Sequence, residues 1–242
     1  MHERAHELFG RVPIWLPQGP AIRDVLVEQE PDLPVTTWDS PGLIDSEAWR
    51  FLGRLMPGAQ DRPVVVGRYS RDDAIKFPPT WDELLKGYRF GPGYQVRMMG
   101  AVDTVRRLAA EAGADPEQLP GDWTVLAQGS VEPHEFLSGL DFFLYLDHPD
   151  RREAFGRTLL EAAASGVLTI AHPKHRTTYG DAIDYALPGE AQDLIAHYAS
   201  HPDAYRQRVE TSVRLVGKRY GHQTFVERIR ALLPELPGGS TQ

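Results

Sequence analysis

Cysteine is absent from the 242 residues, which excludes disulfide scaffolds, thiolate metal sites and cysteine nucleophiles. No apolar run approaches the roughly 20 residues that span a bilayer. The start, Met1-His2-Glu3-Arg4-Ala5-His6, lacks the basic-then-apolar order of a secretory signal. The chain is therefore expected to be soluble and cytoplasmic, with no transmembrane segment. Positive charge is also short. With 26 Lys and Arg against 34 Asp and Glu, the net charge is −8, which argues against a broad nucleic-acid surface. No Gly-x-Ser-x-Gly elbow and no Walker loop occurs, so serine-hydrolase and P-loop chemistry fall away. Gly91-Pro-Gly93 precedes an apolar run instead of following one, so it is no dinucleotide fingerprint.

What is present falls into two textures. Residues 1–61 carry Pro13, Pro17, Pro20, Pro31, Pro34, Pro41 and Pro57, spaced too closely for long helices or central strands. Short helices fit at Pro20–Gln29 and Ser46–Met56, within a packed, irregular segment that is not an independent domain. From Pro63 the pattern turns regular. Apolar runs at Val64–Val66, Gln95–Met99, Trp123–Ala127, Phe142–Leu146 and Leu168–Ala171 predict buried strands, with a further short one within Asp181–Leu187. Between them Thr80–Tyr88, Ala101–Ala112, Pro133–Gly139 and Arg157–Ser165 predict helices. Continuous apolar strands alternating with helices indicate a parallel sheet covered on both faces. The expected architecture is α/β, a doubly wound Rossmann-like sheet over residues 62–234 that ends in helices from Ala191 to Leu233. Residues 235–242 read as a flexible tail.

In such a sheet ligands sit beyond the carboxyl ends of the strands. The informative junctions are Gly67-Arg68, Gly100, Gln128-Gly129-Ser130, Asp147–Gly156 and His172–Tyr179. Glycine recurs there; each one alone is more often a plain turn residue. The richest junction runs from Asp147 into a helix starting near Gly156, where free amides and the helix dipole favour a phosphate. Within that helix Arg157, Glu161 and Ser165 share one stripe, so periodicity alone favours Glu161 facing water beside Arg157. A carboxylate here would equally suit two ribose hydroxyls. Glu153 reads either as a sugar-hydroxyl acceptor or as plain surface. Arg68 and Lys76 read as cations converging on a diphosphate, or as part of a solvated loop like Arg71-Asp72-Asp73. His148, His172 and His175 match no closed zinc spacing, and surface histidine is the simpler reading.

Taken together, Glu153-Ala-Phe155-Gly156-Arg-Thr-Leu-Leu-Glu161-Ala-Ala-Ala-Ser-Gly166 resembles the paired-glutamate signature of retaining GT-B-fold glycosyltransferases, the group similar to glycogen synthases and bacterial mannosyltransferases. The resemblance covers about Pro63 to Leu233. Val66-Gly67-Arg68 with Lys76 is similar to the family's phosphate clamp, at a slightly longer spacing. Gln128-Gly129-Ser130-Val131 with Glu135-Phe136-Leu137 is similar to its base-side loop, and Asp141-Phe142-Phe143 to the opening of the strand before the motif. The resemblance implies a carboxyl-terminal, donor-binding half for a UDP- or GDP-type sugar. It implies Glu161 on the ribose, Glu153 on the donor sugar, and Arg68 with Lys76 on the pyrophosphate. Backbone at Gly129, Ser130 and Val131 would hold the base, and amides around Phe155, Gly156, Arg157, Thr158 and Leu159 the sugar and phosphates. Transfer in this family retains configuration through the donor's own phosphate, so neither a metal nor another cofactor is expected. The absence of an Asp-x-Asp triplet disfavours the metal-dependent alternative fold.

Family members usually carry an amino-terminal acceptor-binding domain, and none fits in the proline-dense residues 1–61. The expectation is a donor half that needs another domain or partner chain for its acceptor. The alternatives are a non-catalytic nucleotide-sugar-binding or regulatory module, and a sugar-nucleotide epimerase of related fold.

Overall fold

Three consecutive valines have no helical periodicity to offer and strong preference for a pleated surface. They open β1 (Val64–Tyr69), the first of six strands: β2 (Tyr94–Met99), β3 (Trp123–Leu126), β4 (Phe142–Tyr145), β5 (Leu168–Ala171) and β6 (Asp184–Tyr185). The helices are α1 (His2–Phe9), α2 (Pro20–Gln29), α3 (Ser46–Trp49), α4 (Trp81–Tyr88), α5 (Val102–Glu111), α6 (Pro133–Ser138), α7 (Arg157–Ala164), α8 (Arg176–Tyr179), α9 (Pro188–Ser200), α10 (Pro202–Tyr220) and α11 (His222–Leu232). The structure, a computed structural model, describes residues 2–10, 12–40, 42–51, 56–150 and 154–232. The expected 235–242 tail and Glu153 lie outside the described residues.

The chain divides into two compact units, one of residues 1–43, 152–157 and 220–242, the other of residues 44–151 and 158–219. In the first, a parallel bridge joins Trp15 to Val35, and Arg23 pairs with Asp39 at 2.6 Å. Trp38 meets Phe225 of α11 edge-on and carries the Arg228 guanidinium over its ring. Phe155 packs edge-on against Tyr220. Helix α1 forms where no element was expected.

The second unit holds the whole sheet, all parallel, in the order β3-β2-β1-β4-β5-β6. That doubly wound order matches the expectation. It also places the reversal of strand order between β1 and β4, where such folds open a crevice. Side chains alternate across the sheet. Val64, Val66, Val96, Met98, Phe142 and Leu144 join Leu84, Tyr88, Val105, Leu108 and Ile195 in one buried core. Tyr69, Phe143 and Tyr145 point the other way, where Tyr69 meets Phe136 and Phe143 stacks on Tyr145. Two close approaches set the layers. A Cβ on Gly67 would lie 2.5 Å from Leu140 and one on Gly87 2.4 Å from Leu146, so glycine at both positions answers to packing. Thr80 caps α4 through the Glu83 amide at 3.2 Å. Tyr88, fully buried, donates to Leu144 O at 2.6 Å and accepts from Leu146 N, pinning the carboxyl end of β4. Helix α3 stops at Trp49, short of the expected Met56, because Arg50 is extended. β6 is only two residues of its expected stretch.

Candidate functional site

Within the second unit, Arg68 at the end of β1 and Asp147, His172 and His175 just past the ends of β4 and β5 all lie at the carboxyl edge of the sheet. At β1, neighbouring residues turn to opposite faces. Arg68, 0% exposed, folds over Phe77 with its guanidinium carbon 3.9 Å from the ring centre and 5.2 Å from that of Tyr145. It donates to Leu146 O at 3.2 Å, to Ser70 Oγ at 3.2 Å and to the carbonyl of Lys76. Its Nε is buried with no partner among the described residues. Arg68 therefore ties the ends of β1 and β4 to the loop that carries Lys76, whose side chain is half-buried. The same loop is anchored by Asp72 and Asp73, expected to be solvated. Asp72 accepts from the Asp103 and Thr104 amides at the start of α5, and Asp73 caps the short turn at Ala74–Lys76 through Ile75 N. The Asp72 amide in turn donates to Gln128 Oε1 at 3.2 Å, which links this loop to the end of β3.

Tyr69 faces the α7 side. Its hydroxyl donates to Glu161 Oε2, and Glu161 is 8% exposed. The surface stripe suggested by periodicity is not what forms. Leu159 through Ala164 are all buried, and Ser165, fully buried, donates to Glu161 O at 2.7 Å. One turn earlier, Thr158 Oγ1 is buried in the first turn of α7 without a partner among the described residues. Gly166 closes the helix at φ +76.

The structure thus ties Arg68 to the Lys76 loop on one face at the end of β1, and Tyr69 to Glu161 on the other. Gly129, Ser130 and Val131 lie at the same edge but after β3, two strands away. There Gly129 has φ +72 and Ser130 bonds back to Ala127 O, a turn that requires glycine on its own account. Beside it a groove of about 500 Å³ is lined by Arg71, Asp72, Thr104, Arg107 and Gln128, among others. Phe155, Gly156 (φ +79) and Arg157 belong to the first unit.

Two of the junctions named in the sequence also pair with each other, which the sequence did not show. Asp147, directly after β4 and 3% exposed, pairs with Lys174 Nζ at 2.7 Å and His175 Nε2 at 3.0 Å. His175, expected at the surface, is also only 3% exposed and lies edge-on to Tyr145. The available signal was position: Asp147 lies two residues past β4, and Lys174 and His175 three and four past β5. Burial pushes the Asp147 carboxyl up, but the hydrogen bonds and charges of His175 and Lys174 outweigh it and hold the group below 3.8. Burial pushes His172 below 6.5; the Asp147 charge opposes this, and Lys174 and His175 add to it. Among the described residues no group of three or more His, Cys, Asp or Glu could hold a metal.

These shifts fix a pH dependence. The unfolded chain protonates His172 more readily than the folded one, so its stabilising contribution is full above 6.5 and falls as pH drops towards the folded value. Asp147 contributes fully above 3.8 and is lost below that, as pH falls through its folded value. Thermal melts from pH 8 downward, at about half-unit steps, are expected to show both declines. His172→Asn should remove the upper one alone. An unchanged upper limb in that variant would assign it elsewhere.

No protein-family model and no curated protein matches the chain. Solved structures do. HepE from Anabaena, in complex with UDP and glucose, aligns over 97% of this chain and 66% of its own at 15% identity, TM-score 0.67. A glycosyltransferase from Rickettsia africae aligns over 92% and 63% at 13% identity, TM-score 0.66. The C-terminal domain of a group 1 glycosyl transferase (LpcC) from Francisella tularensis aligns over 74% of this chain and 100% of its own at 18% identity, TM-score 0.53. The chain spans 66% or less of the length of the first two. These structures share the fold of this chain, and the doubly wound α/β fold expected from the sequence is the fold observed. Among the described residues no helix is long and apolar enough to cross a membrane.

Proposed function

We propose that this chain supplies the nucleotide-sugar donor site of a retaining glycosyltransferase. The observation that carries the proposal is Glu161, a carboxylate 8% exposed, held beside the end of β1 at the crevice between β1 and β4. A carboxylate has two oxygens with several acceptor sites between them, which suits paired hydroxyl donors. In this reading Glu161 holds the ribose, and the first turn of α7 with Thr158 and Leu159 holds phosphate.

 Lys76 carries positive charge to the pyrophosphate, and Arg68 serves it by fixing the loop through the carbonyls of Lys76 and Leu146. Gly129, Ser130 and Val131 serve the base. Glu153, Phe155, Gly156 and Arg157 enter on the sequence motif alone, Glu153 for the donor sugar.

The chemistry proposed needs no metal and no other cofactor. The bond from the sugar's anomeric carbon to the diphosphate oxygen breaks, and the acceptor oxygen bonds to that carbon on the same face. The acceptor proton passes to the departing phosphate. Binding and charge stabilisation carry the rate. The acceptor is proposed to be held by another domain or a partner chain. Calorimetry with UDP, GDP, ADP and their sugars tests the donor site; silence from all of them at millimolar concentration removes it. Glu161→Ala is expected to weaken nucleotide binding by about 2 kcal/mol, about 30-fold. Glu210→Ala, at an exposed position of α10, should leave it unchanged, and equal losses from the two would end the ribose assignment. Nucleotide binding with no sugar transfer to any acceptor in the presence of the partner would instead favour a binding module.

A further inference from the structure

A carboxylate that must meet two vicinal hydroxyls works only if its plane is fixed before the ligand arrives, since each freely rotating torsion would have to be frozen on binding. Glu161 has a flexible side chain on a helix that is buried nearly all round, so the helix alone does not fix that plane. The strand opposite supplies what is needed. Tyr69, the last residue of β1, is buried and donates its hydroxyl to Glu161 Oε2, a charge-assisted bond of the stronger kind. The phenol is itself immobilised. Its ring lies edge-on to Phe136 of α6 at 5.9 Å and to Phe143 of β4 at 5.5 Å. Three elements of the same unit thus hold one hydroxyl against one carboxylate oxygen.

We propose that Tyr69 is a positioning residue for the donor site: it orients the Glu161 carboxylate and thereby sets how strongly the site prefers a ribonucleotide over one lacking ribose hydroxyls. The inference rests on the ribose role given to Glu161 above. Tyr69 touches the nucleotide nowhere in this scheme and acts only through the carboxylate. Its neighbour Arg68 turns to the opposite face of the sheet, so the two consecutive residues divide the work, one towards the phosphate loop and one towards the ribose.

The test compares the affinities of UDP and 2′,3′-dideoxy-UDP, and likewise the GDP pair, for the wild-type chain and for Tyr69→Phe. Tyr69→Phe keeps the ring between Phe136 and Phe143 and removes only the hydroxyl. Wild type is expected to prefer the ribonucleotide by at least about tenfold, and Tyr69→Phe to lower that preference several-fold while affinity for the dideoxy nucleotide stays the same. Melting curves establish that the variant is folded. As a second measurement, the Tyr69→Phe effect on the preference should vanish in a Glu161→Gln background. A loss that falls equally on ribose and dideoxy nucleotides makes Tyr69 a structural residue only and overturns the inference, with the donor site intact. A wild-type chain that binds both nucleotides equally overturns the ribose role of Glu161 first, and the inference with it.

Discussion

Arg68→Ala is expected to lower the free energy of unfolding by about 3 kcal/mol, measured by urea denaturation at neutral pH. The side chain is completely buried, and its deletion leaves a cavity beside Phe77, Tyr88 and Tyr145. It also strips the carbonyls of Leu146 and Lys76 of a charged donor. Both losses act at one place, the joint between β1, β4 and the loop to Lys76. Arg68→Lys should recover only part of the loss, because an ammonium lacks the planar fork that reaches two carbonyls at once. The slope of the denaturation curve should stay constant, since the fold around the joint persists. Nucleotide affinity should fall in Arg68→Ala even where the protein remains folded, because Lys76 loses its anchor. A loss of stability under about 1 kcal/mol would show that Arg68 does not hold the joint.

The sheet was legible because a strand buried on both faces leaves an apolar run, and each such run from Val64 to Ala171 became a strand. The alternation with helices gave a parallel, doubly wound sheet, while the order β3-β2-β1-β4-β5-β6 comes from the structure. What escaped was contained in contacts distant along the chain. Periodicity assigned Glu161 to water because Arg157 and Ser165 share its stripe; with Leu159 through Ala164 all buried, α7 has almost no solvent face for a stripe to mark. Arg68 read as an open cation because sequence shows its place at a strand end but not the Phe77 ring that covers it. Asp72 read as a loop charge because the two amides it caps lie 31 and 32 residues away. The glycines divide by cause. Gly67 answers to Leu140 and Gly129 to its own turn, so neither glycine is by itself evidence for a ligand. The paired-glutamate motif carried the fold assignment correctly, while the placing of Glu153 lies outside the described residues.

Asp147→Ala should produce a loss of similar size, about 3 kcal/mol at neutral pH. The carboxylate is 3% exposed and shared between Lys174 and His175, so removing it leaves an ammonium short of a counter-charge and a buried ring without its partner. Breaking one side of a buried pair is costly for that reason, whatever the net worth of the intact pair. The cluster joins the ends of β4 and β5, and Lys174 also donates to the carbonyl of His148 in the loop before α7. The damage should therefore reach the carboxyl edge of the sheet, and under the proposed function nucleotide affinity should weaken along with stability. Asp147→Asn separates shape from charge: its amide can still meet His175 but offers Lys174 no anion, so an intermediate loss is expected. The pH dependence gives the second check. Because His175 and Lys174 hold the Asp147 carboxyl below 3.8, the wild type keeps its advantage over Asp147→Asn at neutral pH and loses it as acid protonates the carboxyl. A wild type and Asp147→Asn of equal stability at neutral pH would show that the cluster is held by shape alone.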